Sequence, residues 1–495
     1  MAGRAESPTL LGRAVTALSS HRKKLILAGL LVLAPLAAHG VVVSATRIEP
    51  PPITLTPLNE PQPHATVPGL RVMGAGYARR RGAITEVRLV GSPEAIGSQH
   101  GRLLYREMVD DEGALYGQFR RFVPLAPARA LLMDFARLKF RRVDEGMDPS
   151  RRREIAAQAL AFSPDPFDDV LPTYHRFAFL QALYDISLSF EHSPLLGCTS
   201  FALTDGAFHD GHAVLARNFD FEAGPVFDVG KVVFLVREEG RVPYASVAWP
   251  GLVGVVTGMN AEGLAVVVHG GRAREPRTVG EPVVQTMREV LGRARSTAEA
   301  LSLLEAREPM VSHLAMLLDA SGDAAVVERA PGAPMFVRRG RGKVPLTNHF
   351  EGPLARDPAN LRIEATTSTW SRRRRLDELL SNLSGDASVE RVVEILRDKR
   401  APSGVDVPLG SRRAIDALIA THSVVMDATA RNLWVSEGPH LVGRYVRFNL
   451  AELLDPSYEP TSEPTIEAIG ADPIQDDGRY DAWVRAGSPH SGENE

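Results

Sequence analysis

A four-layer α/β/β/α sandwich of the α+β class, preceded by a mostly helical segment, is the fold this sequence predicts. Three observations predict it. Apolar residues recur at helical spacing from about 108 to 190, the spacing changes to strand-like alternation at Cys198, and the chain then runs strands, two helices, strands, two helices, strands. At 495 residues, 44% hydrophobic and 24% charged, the chain is large enough to bury such a core. A net charge of -3 suggests no nucleic-acid or polyanionic partner.

Residues 1–24 form a basic flank carrying Arg13, Arg22, Lys23 and Lys24. Residues 25–45 are apolar, with only His39 strongly polar between Leu25 and Val43. This is the pattern of a signal peptide or an uncleaved membrane anchor. Either places the rest of the chain outside the cytoplasm, as an exported (periplasmic or extracellular) protein or one held to the membrane through residues 25–45. Seven prolines between Pro50 and Pro68 make 46–68 an extended linker, so the folded part is expected near Gly69.

Residues 69–197 are expected to be mostly helical, a propeptide or small subunit. Ile84–Val90 alternates as a strand, and Ser92-Pro93 then starts a helix. Gly97 and Gly101 weaken that helix, which implies close packing against another element, and His100 between them is read as a structural histidine. Leu131, Leu132, Phe135 and Leu138, and then Phe177, Leu180, Leu183 and Tyr184, form apolar stripes expected to face a core. Arg120, Arg121, Arg141, Arg142 and Arg151 to Arg153 are read as solvated helix faces.

Residues 198–455 carry the predicted sandwich. Strands are expected at 198–205, 212–219, 231–237, 242–249, 252–259 and 263–269, then helices at 282–295 and 298–305, the second capped by Ser296 or Thr297. Hairpins follow at 313–319 with 324–329, and at 422–427 with 432–436, and 444–449 adds a strand. Between the hairpins lie helices at 371–383 and 389–398. The acidic stretch 456–495 is expected to be a flexible tail, with Tyr480–Val484 touching the body.

Cys198 is the only cysteine, so there is no disulfide framework and no site of several thiolates. With fourteen scattered histidines, neither a metal nor a cofactor is predicted. A lone thiol is often an inert buried hydrophobe. It becomes a catalyst if the chain is cut after Gly197, because Cys198 then supplies a nucleophilic thiol together with an α-amine. That amine titrates at about 7.7–8, near the working pH of a general base. If the strands on either side of the next turn pair, Arg217 and Asp220 come beside the thiol. The guanidinium favours thiolate and the carboxylate orients the new ammonium group. As an ordinary surface pair the same two residues would contribute little.

Gly197-Cys198-Thr199-Ser200-Phe201-Ala202 followed by Arg217-Asn218-Phe219-Asp220 resembles the N-terminal nucleophile (Ntn) hydrolases of the isopenicillin N, or acyl-coenzyme A:6-aminopenicillanate, acyltransferase family. It is more distantly similar to choloylglycine hydrolase, penicillin V acylase and acid ceramidase. The resemblance extends to the stretch from Gly91 to Gly101, to Gly258–Leu264, to Leu346-Thr347-Asn348-His349, and to His422–Asp427 with Leu433–Gly438. It implies autocatalytic cleavage between Gly197 and Cys198, two processed subunits from one zymogen chain, and an αββα fold. Cys198 would be nucleophile and base, Arg217 and Asp220 its activators, and Asn348 the oxyanion donor. Arg372, within a run of four arginines, is a further candidate, as is His269 near the site segments. The activity implied is hydrolysis of a non-peptide N-acyl amide, linear or cyclic, through a thioester. Transfer of the acyl group to an amine, a phospholipase B-like esterase, and a catalytically silent membrane-tethered binding protein are the alternatives.

Overall fold

In the computed structural model, which describes residues 33–54, 62–63, 69–189, 196–221, 226–460 and 463–490, the alternation around Cys198 becomes two stacked sheets. The smaller has seven strands in the order Lys343–Leu346, Leu196–Leu203, Val214–Phe221, Ala420–Asp427, Asn432–Ser436, Tyr445–Asn449 and Ala468–Ile469. The larger has eleven, running from Gln62–Pro63 through Ile84–Gly91, Val232–Glu238 and Ala265–Gly270 to Phe336–Gly340. Leu215, Val424 and Val435 of one sheet meet Val233, Val267 and Leu314 of the other in a shared apolar core. Fully burying each such side chain contributes about 1.5–3 kcal/mol.

The outward-facing residues of the smaller sheet, among them Phe201, Ala216 and Val425, are covered by Leu376, Leu380, Val392 and Leu396 of helices Thr369–Ser381 and Val389–Leu396. Helices Val283–Arg293 and Thr297–Glu305 pack on the larger sheet, the second capped by Ser296. The layers are therefore helix, sheet, sheet, helix. This is the predicted α+β sandwich.

Four expectations need correction. First, besides the expected strand, found at Ile84–Gly91 and paired parallel with Val232–Glu238, the segment before Cys198 holds two unexpected strands, Arg71–Met73 and Gly76–Arg81, which extend the larger sheet. Arg79-Arg80-Arg81 hides the alternation. Arg79 and Arg81 turn inward onto Glu86, which also accepts the Tyr77 hydroxyl. Second, Gln62–Pro63, inside the proline-rich stretch, pairs with Arg71 and Val72. Third, Arg151 does not lie on a solvated face. It is fully buried among Glu154, Glu238 and Glu289, because helix Pro149–Ala161 packs that side against the rest of the unit. Fourth, the tail touches the body at more than the expected Tyr480–Val484: Ile474 as well as Trp483 joins Leu418 and Val442 in a small apolar cluster, and Asp472 pairs with Lys399.

The helix at Pro93–Leu103 bears out the packing reason for its glycines, since a Cβ on Gly97 would stand 2.1 Å from the Glu154 carbonyl oxygen. His100 is buried, accepts the Gly251 N–H through Nε2 at 2.9 Å, and is held neutral, its pKa pushed down to about 3 by burial. Its role is structural.

The chain divides into two compact units, Met1–Ile48 with Arg120–Arg141, and Glu49–Phe119 with Arg142–Glu495. Both sheets belong to the second. In the first, residues 33–45 and Ala126–Lys139 are helical and His39 Nδ1 meets an Asp134 carboxylate oxygen at 2.8 Å. None of the described helices is long and apolar enough to cross a membrane, and residues 1–32, with the basic flank and the start of the apolar run, lie outside the described residues.

Candidate active site

Strand register assembles the site. Leu196–Leu203 and Val214–Phe221 form the expected hairpin, with Gly197 opposite Asp220, Cys198 opposite Phe219 and Ser200 opposite Arg217. Side chains alternate across a strand, so Cys198, Ser200, Arg217 and Phe219 share the face turned toward the other sheet, while Thr199 and Asp220 face the covering helices. Leu346 pairs with Ser200, and the chain continuing past Leu346 brings Asn348 level with Cys198.

Two arginines grip the strand of Cys198 from opposite faces. On the inter-sheet side Arg217 is fully buried, and its Nη2 lies 3.3 Å from Cys198 Sγ. The same guanidinium donates to the Val256 and Val268 carbonyls and to Thr257 Oγ1, which fixes its orientation. On the helix side Arg372 donates to the Cys198 carbonyl, to Thr199 Oγ1 at 2.9 Å and to Asn348 Oδ1 at 2.9 Å. Asn348 Oδ1 also accepts the Cys198 N–H at 2.8 Å, while Nδ2 donates to the Gly270 carbonyl at 2.9 Å. An amide nitrogen carries two hydrogens, so one remains to donate.

Asp220 lies against the bond expected to break. A Cβ added to Gly197 would come within 3.0 Å of an Asp220 carboxylate oxygen, so glycine is what lets the carboxylate sit there. Burial pushes the Cys198 thiol pKa up, Arg217 pulls it back down, and Asp220 raises it. The thiol has no solvent exposure in the uncut chain.

His269 does not reach the thiol. Its Nδ1 lies 3.1 Å from the Thr347 carbonyl and its Nε2 2.6 Å from Ser200 Oγ. A carbonyl can only accept, so Nδ1 carries the proton and Nε2 accepts from the serine. Burial, then Arg217 and Arg372, push its pKa well down, keeping it neutral. It ties the strand of the nucleophile to the loop of Asn348, a positioning contact. His349 bonds Thr369 and Thr347 hydroxyls and stacks on Trp370.

Sequence reasoning missed Thr257, His422 and Tyr184. Thr257 Oγ1 bridges Arg217 to His422 Nε2 at 2.9 Å, and the His422 ring stacks on Phe219. Strand parity was the available signal, since in the Ala420–Asp427 strand His422 stands opposite Phe219. Tyr184 comes from a separate helix and interacts electrostatically with Cys198, so no local pattern announces it. Among the described residues no group of three or more His, Cys, Asp or Glu could hold a metal ion.

An apolar cavity of about 70 Å³ begins at Phe219 and is walled by Tyr184, Phe221, Phe227 and Trp249. Asp111 also lines it, and one of its buried carboxylate oxygens has no hydrogen-bond partner. Burial, then Asp110 and Glu107, push its pKa from 3.8 up to about 8. The folded chain therefore holds this proton more tightly than the unfolded chain. The resulting stability is fully present below about pH 4 and is lost as pH rises through about 8. Asp111→Asn is expected to shrink the fall in Tm between mildly acidic and mildly alkaline buffer, read by scanning calorimetry. An unchanged fall would mean that the carboxylate ionises without penalty.

Residues 208–407 match the family model described as AAT, acyl-coenzyme A:6-aminopenicillanic acid acyl-transferase. That stretch is similar to the acyltransferase family over about two fifths of the chain. The family match contains Arg217, Asp220, His269, Asn348 and Arg372 and starts just after Cys198. An uncharacterized protein of Archaeoglobus fulgidus is 26% identical over 255 residues, which are 48% of this chain and 41% of that protein. The chain thus spans about two fifths of the length of that curated relative. Among solved structures, an N-acylethanolamine-hydrolyzing acid amidase ortholog of Caenorhabditis elegans is 16% identical, covering 47% of this chain and 93% of that one, at a TM-score of 0.35. A penicillin V acylase of Agrobacterium tumefaciens is 19% identical, covering 55% and 98%, at a TM-score of 0.35. A conjugated bile acid hydrolase of Clostridium perfringens is 14% identical, covering 56% and 97%, at a TM-score of 0.37.

Proposed function

We propose that the protein is a cysteine Ntn amidohydrolase that activates itself by cutting its own chain between Gly197 and Cys198 and then cleaves a non-peptide N-acyl amide. The observation that carries this reading is the Arg217 guanidinium 3.3 Å from Cys198 Sγ, on a residue whose backbone N–H meets Asn348 at 2.8 Å. In the first step Sγ attacks the Gly197 carbonyl carbon, the Gly197–Cys198 C–N bond breaks, and the thiol proton moves to the departing nitrogen. The broken C–N bond leaves the α-amine free, and water then hydrolyses the resulting thioester, which releases the thiol and leaves Gly197 as a carboxylate.

In turnover the same sulfur attacks the substrate's acyl carbon while the α-amine takes the thiol proton and delivers it to the leaving amine. Asn348 stabilises the oxyanion through its remaining N–H, worth roughly 3 kcal/mol of barrier for a fixed donor. Arg217 lowers the cost of the thiolate, Asp220 orients the ammonium group, and Arg372 holds Asn348 and the strand together. Water resolves the acyl-enzyme, and export through residues 25–45 favours water over a coenzyme A-dependent transfer, since acyl-coenzyme A is a cytoplasmic donor.

Wild type and Cys198→Ala, compared by denaturing gel and intact mass, test the cut. Wild type is expected to give fragments 1–197 and 198–495, shortened at the N-terminus if a signal peptide is removed, and the variant one chain. An intact wild type would sink self-processing. An acyl-amide panel run with and without an amine acceptor and acyl-coenzyme A then separates hydrolysis from transfer.

A further inference from the structure

We propose that the helix Ala126–Lys139 and its flanks form a membrane-contact surface that lies in the headgroup region of an anionic bilayer. The helix is inside out for a water-facing element. Leu131, Leu132, Phe135 and Leu138 recur at three- and four-residue spacing and are exposed, Leu131 by 70%, while Arg137 on another side of the helix is buried. Phe122 and Leu125, just before it, are 82% and 69% exposed. Of the sixteen large apolar side chains exposed among the described residues, nine belong to the unit made of Met1–Ile48 and Arg120–Arg141. The other three of the nine are Leu33, Leu36 and Val41, on the helix whose His39 meets Asp134.

Three arguments identify a bilayer as the occupant. Residues 120–141 hold six basic residues and one acidic one, Asp134, which is already paired with His39, in a chain whose net charge is -3. Exposed Arg120, Arg121 and Arg141 flank the apolar stripe, the arrangement that suits an anionic headgroup layer over an acyl interior. At 14 residues the helix is too short to span a bilayer, which takes about 20, so it would lie along the interface. A second copy of the chain is a poor occupant, because it would set two strongly basic segments face to face. The same unit also contains the apolar run of residues 25–45, so its surface would be carried to a membrane whether or not that run is later cut.

The full chain, with tryptophan placed in turn at Leu132→Trp, Phe135→Trp and, as a control in the other unit, Leu160→Trp, is mixed with phosphatidylcholine–phosphatidylglycerol vesicles with and without brominated lipid. Leu160 is 59% exposed, which makes it a fair comparison. After subtraction of the unmutated chain, emission from positions 132 and 135 is expected to shift blue and to be quenched by brominated lipid. Emission from position 160 is expected to do neither. Replacing Arg120 and Arg121 together by glutamine should weaken partitioning about thirtyfold, as about 1 kcal/mol per basic residue requires. Emission at 132 and 135 indistinguishable from that at 160 overturns the proposal. So does quenching that is absent while cross-linking traps two chains through this helix.

Discussion

Arg217→Met is expected to raise the Cys198 thiol pKa further and so to lower the thiolate fraction near neutral pH. The direction follows from the site. Burial already pushes the thiol up, and Arg217 is the largest influence pulling it back down. Cys198 is the only cysteine, so ultraviolet thiolate absorbance, taken as the difference from Cys198→Ala, reports this one group in cut or uncut chain alike. The substitution also removes the donors that Arg217 gives to the Val256 and Val268 carbonyls and to Thr257 Oγ1, although Val256 keeps the Val268 N–H and Thr257 keeps His422. A lower Tm alone would therefore prove nothing about catalysis. Arg217→Lys separates the effects: it keeps the charge, loses the fork of donors, and should leave the thiol titrating as in wild type while still lowering Tm. If the thiol titrates alike in wild type and Arg217→Met, the guanidinium is a structural strut and the activation argument fails.

The placement of Arg217 beside Cys198 was legible because it is local. Cys198 and Arg217 sit on consecutive strands joined by the connection 204–213, and pairing them needs only the hairpin register that the alternation predicts. Strands Ala324–Arg329 and Asn432–Ser436 lie where their turns put them, to the residue. Arg372 was ambiguous within a run of four arginines, yet helix phase resolves it. Leu376 and Leu380 are buried four and eight residues on, and Arg372 falls on the same stripe, whereas Arg374 is exposed.

What could not be read depends on distant partners. Nothing near Arg151 announces Glu238 or Glu289, and without them a buried arginine looks like a solvated one. Arg79 and Arg81 disguise a strand because Glu86, on the next strand, neutralises both. The bond between Ser200 and His269 crosses from one sheet to the other, a juxtaposition fixed by stacking rather than by spacing. Trp483 is the opposite case: it lies in Tyr480–Val484, the part of the tail expected to touch the body, and it packs with Leu418 and Val442.

Asn348→Asp tests the other half of the mechanism with the least disturbance. Aspartate keeps an oxygen where the Cys198 N–H and Arg372 already donate, so the contacts at 2.8 Å and 2.9 Å survive. What disappears is the amide nitrogen, with the hydrogen spent on Gly270 and the one left for an oxyanion. A carboxylate beside a developing oxyanion also repels it. The expected result is a fall in kcat of about 10²–10³ with little change in KM, the signature of a donor that acts only in the transition state. Processing should slow in parallel, because the same carbonyl geometry serves the cut after Gly197 and the turnover of substrate. Asn348→Ala should give a comparable loss of kcat with a larger loss of Tm, since it also leaves the Cys198 N–H and Arg372 without their acceptor. Full kcat in Asn348→Asp would assign the oxyanion to another donor. Slow processing with full kcat would confine Asn348 to holding the uncut Cys198 N–H in place.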